Sequence, residues 1–288
     1  MWRPSEEAYT SDEMVNAYEE VQNIPPDPSS PNVENVVVKI LVYLDATWLA
    51  QFGTASAHPI YSFFGNLLKY IHCQPGSHAA HHTAYFPQLP DLFTDWYRET
   101  FSRDPSDEII THCKWELIHA VWMLILNTAF MMAYQFGILV CFADKIICHV
   151  FPHLFAYMAD YPEKILMAGI RNMGICPCPW CLIPKAKKIQ VNSHHLQAKV
   201  AIARDIIYRQ GNHIYTNMVN DILKSESLVP TTNVFHTTFA DFDFNTFSLF
   251  IVDLMHKFKL GVFRDFLIHL LQLLYACGVE TIAEFDHW

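Results

Sequence analysis

Basic residues are scarce in this chain. Lys and Arg number 19 against 29 Asp and Glu, for a formal net charge of −10. That balance argues against a self-sufficient DNA-binding protein, which usually carries a basic face, so any work on nucleic acid must rest on a local site. Charge of either sign is thin: 17% of the 288 residues are charged and 52% are apolar. Such a chain can build one large or two small domains with a real hydrophobic core. No glycine-rich phosphate loop and no nucleophile elbow occurs, which removes P-loop and serine-hydrolase chemistry. There is no internal repeat. The first 35 residues are acidic and polar, without the apolar run of a secretory leader.

Without such a leader, the eight cysteines (73, 113, 141, 148, 176, 178, 181 and 277) read as reduced thiols or metal ligands rather than a disulfide scaffold. Residues 117–143 carry no charge and are long enough to cross a bilayer. His119, Asn127, Thr128 and Gln135 interrupt them, and no Lys/Arg cluster marks an inside end. A buried helix running into a buried strand is the preferred reading, and a single-span membrane anchor competes with it.

Residues 11–21 predict a short helix capped by Ser11 or Asp12. Four prolines then mark a linker over residues 25–31. Residues 36–44 (VVVKILVYL) predict a strand buried on both faces. Residues 59–64 and 82–86 predict two more strands, making a three-stranded meander. Helices are expected over residues 90–101, 114–136, 151–171, 193–209, 218–226 and 247–277, with a strand over 138–143 and a polar loop over 230–244. The order of elements predicts a mixed α/β domain.

Two aspartates follow apolar strand-like runs, Asp45 after 36–44 and Asp144 after 138–143. Functional residues of α/β sheets gather at strand ends. Two carboxylates meeting there suit Mg²⁺ or Mn²⁺, hard cations that activate and stabilise oxygens in phosphodiester chemistry. The plainer reading is that each Asp ends a strand or caps a turn. Cys178 and Cys181, with two residues between them and Pro177 and Pro179 stiffening the turn, have the spacing of a zinc knuckle, with Cys176 a possible third ligand. A metal-free, proline-stiffened loop competes. His78, His81 and His82 read as ordinary loop and strand residues.

Several segments, in order, resemble fungal Kyakuja–Dileera–Zisupton (KDZ)/Plavaka-type transposases. They are Leu44-Asp45-Ala46-Thr47 with the following Gln51-Phe52-Gly53, then Pro59-Ile60-Tyr61 and Phe64-Gly65-Asn66. Next come Cys141-Phe142-Ala143-Asp144, Ala159-Asp160-Tyr161-Pro162-Glu163-Lys164 and Cys176-Pro177-Cys178-Pro179-Trp180-Cys181. Glu226-Ser227-Leu228-Val229-Pro230 and Asp253-Leu254-Met255-His256 close the set. No single segment is decisive; the ordered set is what carries the resemblance, from about residue 33 onward.

The resemblance implies an RNase H-like mixed sheet with flanking helices and a DDE-type site, with Asp45 as first acid and Asp144 as second. It implies a helical, cysteine-bearing insertion tied by Cys178, Cys181 and His256, and DNA as the partner of a nuclear protein that takes no small-molecule substrate. A homo-oligomer is compatible with it. The expected partition is an acidic arm and linker (1–35), a core part (36–172) and the insertion (173–288). Lys145 departs from the pattern, because a cation beside a metal-binding carboxylate competes with the metal. The third acid falls beyond the Asp253/His256 element, where only Glu280, Glu284 and Asp286 remain, and none of them is assigned. The expectation is therefore a truncated copy with weak or no strand transfer. A zinc-stabilised binding module without catalysis is the alternative.

Overall fold

The computed structural model describes residues 11–25, 32–45, 47–48, 56–172, 174–176, 193–242, 244–251 and 263–278. The chain forms two compact units, Met1–Phe250 and Ile251–Trp288.

The larger unit is built on one six-stranded mixed sheet. Its centre is β1 (Glu34–Leu44), the β-branched run expected from the sequence. On one side β3 (Ser56–Phe64) runs antiparallel to β1, and β4 (His81–Phe86) runs antiparallel to β3. The short β2 (Thr47–Trp48) pairs with the start of β3. On the other side β6 (Ile147–Met158) runs parallel to β1, and β5 (Ile138–Cys141) forms the edge, antiparallel to β6. The meander is thus present, and a fourth long strand lies beside β1.

That fourth strand is a correction. Residues 151–171 were expected to be helical, but they divide into the end of β6 and α6 (Tyr161–Ala168). Aromatic and β-branched residues (Val150, Phe151, Phe155, Tyr157) favour the pleated surface. Pro152 is tolerated because β5 reaches only as far as Val150, which leaves β6 an open edge at the proline.

The expected single helix over 114–136 is also two: α4 (Asp107–Ile125) and α5 (Thr128–Phe136), bent by 54°. Asn127 makes the break, its side chain accepting the Phe130 N–H at 2.9 Å as an N-cap. Among the described residues no single helix is long and apolar enough to cross a membrane, although this bent pair has the length and composition. Strand β5 was expected to be buried. It is an exposed edge instead, with Ile138 and Leu139 about half accessible.

Helix α1 (Asp12–Gln22), capped by Ser11 as expected, covers one face of the sheet through Met14, Ala17 and Val21 against Val37 and Phe151. Gln22 and Asn35 lock it in place, Gln22 donating to the Asn35 carbonyl and Asn35 to that of Val21. Gly137 ends α5 at φ +71°, where a Cβ would come 2.8 Å from the fully buried Phe151 ring. Only glycine fits both constraints.

The larger core gathers Val42, Leu44, Ile60, Trp122 and Tyr157 with residues of α6, α7 (Ser193–Tyr208), α8 (Asn217–Leu223) and α9 (Val234–Thr238). The expected polar loop over 230–244 is instead largely buried, Val234 and Phe235 being almost inaccessible. Asn233 explains it, capping α9 through the Phe235 and His236 N–H groups and donating to the Met167 carbonyl at 2.6 Å. Helices α2 (Lys69–His72) and α3 (Leu92–Phe101) are peripheral. In the smaller unit, α10 (Phe263–Cys277) is the described element.

Candidate active site

Asp45 follows the last residue of β1 directly, half-buried, and its Oδ2 accepts a hydrogen bond from the Tyr43 hydroxyl at 3.0 Å. Side chains two apart on a strand share a face, so this bond is a natural product of strand geometry.

Asp144 lies elsewhere. It sits exposed in the β5–β6 turn, where its Oδ1 accepts the Ile146 N–H at 3.0 Å. The turn closes through mutual backbone bonds, Phe142 N–H to the Ile146 carbonyl and Lys145 N–H to that of Phe142, with Lys145 at φ +70°. The ladder fixes its position in the sheet. Cys141 pairs with Ile147, and Cys148 pairs with Glu34, the first residue of β1. Asp144 is therefore at the end where β1 begins and Asp45 at the end where it finishes. Eleven strand residues separate those ends, on the order of 30 Å. The structure does not bring Asp45 and Asp144 together, and the turn role accounts for Asp144.

An acid at the same end of the sheet as Asp45 is Asp160. Tyr43 pairs with Met158 across the parallel β1–β6 ladder, and Asp45 and Asp160 each stand two residues further on. Neighbouring strands lie about 4.8 Å apart. The two carboxylates thus emerge from adjacent strands at their C-terminal ends, where α/β sheets place functional groups.

Asp160 also caps α6, its Oδ1 accepting the Glu163 N–H at 3.0 Å. Glu163 completes the D-x-x-E spacing of a capping box. Its Oε2 is buried without a hydrogen-bond partner, and its carboxyl is pushed up to about 7, chiefly by burial and then by the charge of Asp160. His58 Nδ1 stands 4.0 Å from Glu163 Oε1. In the β1–β3 register Asp45 falls opposite Pro59, so the neighbouring His58 shares the face of Ile60 and Leu44 rather than that of Asp45.

Asp160 and Glu163 stand within one of the matching segments, and the sequence alone assigns them no role. The available signal was the apolar, aromatic run before Asp160, followed by a cap and a proline in the first helical turn. Reading that run as helix concealed a strand-end acid.

Of the expected cysteine cluster, Cys176 is described and Cys178, Cys181 and His256 lie outside the described residues. Asp253, Glu280, Glu284 and Asp286 lie outside them too. Cys176 is buried. Its N–H donates to Ser227 Oγ at 2.9 Å and its thiol to the Ser225 carbonyl at 3.7 Å. Burial pushes its pKa up, which disfavours the thiolate a metal needs.

Among the described residues no three His, Cys, Asp or Glu side chains converge to hold a metal ion. Two strand-end carboxylates suit Mg²⁺ nonetheless, because it is bound through one or two protein carboxylates with water and substrate phosphate filling the rest. The unpartnered Oε2 of Glu163 adds an uncompensated acceptor beside them.

A second polar network ties the helices behind this site. His112 Nε2 bonds the Tyr208 hydroxyl at 2.7 Å and its Nδ1 the Thr231 hydroxyl at 3.3 Å, while Arg204 bridges Glu116 and the Pro230 carbonyl. Burial lowers the pKa of His112. The network joins α4, α7 and the segment before α9, and its groups are mutually satisfied.

Fold and site together define a mixed α/β protein with two carboxylates at one end of its sheet. The sequence matches the Plavaka transposase family over residues 4–271, and the chain belongs to that family. Membership points to a transposase-derived role in DNA processing, with DNA as the partner and dependence on divalent metal. No curated protein and no solved structure matches the chain.

Proposed function

We propose that the larger unit is the RNase H-like catalytic core of a DDE-type transposase, with Asp45 and Asp160 as its first two acids. The observation that carries this is the β1–β6 register, which sets both carboxylates at one end of neighbouring parallel strands. The strand order supports the same fold: an antiparallel meander, intervening helices, then a strand returning parallel to the first.

When bound, Mg²⁺ or Mn²⁺ supplies Lewis-acid polarisation of the scissile phosphate and its attacking oxygen. Asp45 and Asp160 would hold the cation. Tyr43 orients Asp45 through its hydroxyl. The α6 backbone orients Asp160 through the Glu163 N–H. Glu163 stands beside Asp160, with His58 4.0 Å from its carboxyl, and that carboxyl, poised about pH 7, takes up or releases a proton near the reacting phosphate. The overall reaction is hydrolytic cutting of a DNA strand, after which the freed 3′ hydroxyl attacks a target strand.

The cysteine-bearing insertion belongs to this reading by resemblance. Zinc on Cys178, Cys181 and His256 would tie it, without the buried Cys176. Action on chromosomal DNA places the protein in the nucleus.

Nicking of supercoiled plasmid in Mn²⁺ tests the reading. Metal-dependent nicking is expected in the parent chain and in Asp144→Asn, and is lost in Asp45→Asn and Asp160→Asn. Nicking that survives both losses, or that vanishes only with Asp144→Asn, overturns it.

A further inference from the structure

Beside the acidic sheet end lies a cleft of about 470 Å³, of which the chemistry above uses only the Glu163 and His58 wall. His58 and Glu163 form its inner wall, and Phe86, Leu89, Lys114 and Trp115 line the rest. Glu163 is hydrogen-bonded to Asp160 through its backbone N–H, so the inner wall adjoins one of the two acids.

The size lies within the range of small-ligand sites, roughly 300–1,000 Å³. The lining is mixed in a particular way: a partly exposed indole, an apolar floor, and polar groups confined to the inner wall and the rim. A flat heteroaromatic with hydrogen-bonding edges fits that distribution, because its face stacks on an aromatic ring and its edge meets the polar wall. A phosphate does not fit it, since Glu163 and Asp91 both line the cleft. Lys114, exposed at the surface, is placed to meet a backbone phosphate outside.

We propose that this cleft receives one unstacked nucleobase of the DNA strand being processed, next to the scissile phosphate. The proposal rests on the assignment of Asp45 and Asp160 as the catalytic acids, and extends it by fixing the form of the substrate. The strand then enters with one base turned out of the stack, the base against Trp115 and the adjoining phosphate towards the acids. A nucleotide already unpaired avoids the unstacking cost and binds more tightly than a paired one.

The test uses the full chain with fluorescein-labelled duplexes, in Ca²⁺ to hold back cutting, read by anisotropy. One duplex is fully paired and the other carries a single unpaired nucleotide. The expected preference for the unpaired form is about tenfold, the scale of one base–aromatic stack. Trp115→Leu, which removes the stacking face, and Leu89→Trp, which fills the cleft, both abolish the preference and leave affinity for the paired duplex unchanged. That unchanged affinity also shows that the variants are folded. Equal affinity of the parent chain for both duplexes, or a preference that survives both substitutions, overturns this inference and leaves the assignment of the acids standing. Failure of the parent chain to bind either duplex overturns both.

Discussion

The Asp160 carboxylate accepts the Glu163 backbone N–H at 3.0 Å, and in the same turn the Glu163 side chain is half-buried with its Oε2 inaccessible and unpartnered. One residue therefore serves as helix cap and strand-end acid together, and its neighbour carries the electrostatic consequence. Burial and the Asp160 charge raise the Glu163 pKa to about 7.

A carboxyl raised in the folded state favours folding when protonated. Its stabilisation is full below the unfolded value near 4.5 and is lost as pH rises through about 7. His119 and His153 act oppositely. Burial lowers each to about 4, so their contribution is full above 6.5 and is lost as pH falls through about 4. Glu163→Gln should therefore become more stable than the parent chain between pH 5 and 8, by at most about 3 kcal/mol at the upper end. Urea unfolding at several pH values checks this, and parallel profiles for the two proteins would contradict it. Added Mg²⁺ should narrow the gap, because a cation at the acids favours the charged form of Glu163.

Gly137 and Phe151 should be energetically coupled. Gly137→Ala meets both a positive φ and the Phe151 ring, and is expected to cost about 2 kcal/mol or more. Phe151→Ala empties a fully buried site between α1 and the sheet, at about 3–5 kcal/mol. The double variant should cost less than the sum, because the second change removes the obstacle to the first. Strict additivity in denaturant unfolding would contradict the packing described.

Cysteine reactivity separates the thiols. Cys73, Cys141 and Cys277 are exposed, while Cys148 and Cys176 are buried. Alkylation of the native chain, read by mass spectrometry, should modify the first three well before Cys176. Cys176→Ser should also leave any bound zinc in place. Rapid modification of Cys176, or loss of zinc on its replacement, would restore it as a ligand.

Much of the sheet was legible in the sequence. The run VVVKILVYL could only be an inner strand, and Ser11 marked the start of α1. What escaped was β6, because its second half was read as the start of one helix over residues 151–171. That one error hid Asp160 as a strand-end acid. Asp144 follows an apolar run as Asp45 does, and only the ladder register shows that its strand runs the opposite way along the sheet. Strand direction is a long-range property, and no local pattern encodes it. The burial of residues 230–244 was equally hidden, since it depends on Asn233 reaching the Met167 carbonyl.

The central claim is that Asp45 and Asp160 share one divalent cation. Replacing Mg²⁺ by Fe²⁺ and adding ascorbate and peroxide generates hydroxyl radicals at the bound metal, which cut the polypeptide nearby. The account predicts cuts clustered near residues 45 and 160, absent from Asp45→Asn and Asp160→Asn and unchanged in Asp144→Asn. Cuts centred on the β5–β6 turn around residue 144, or none near residues 45 and 160, would contradict it.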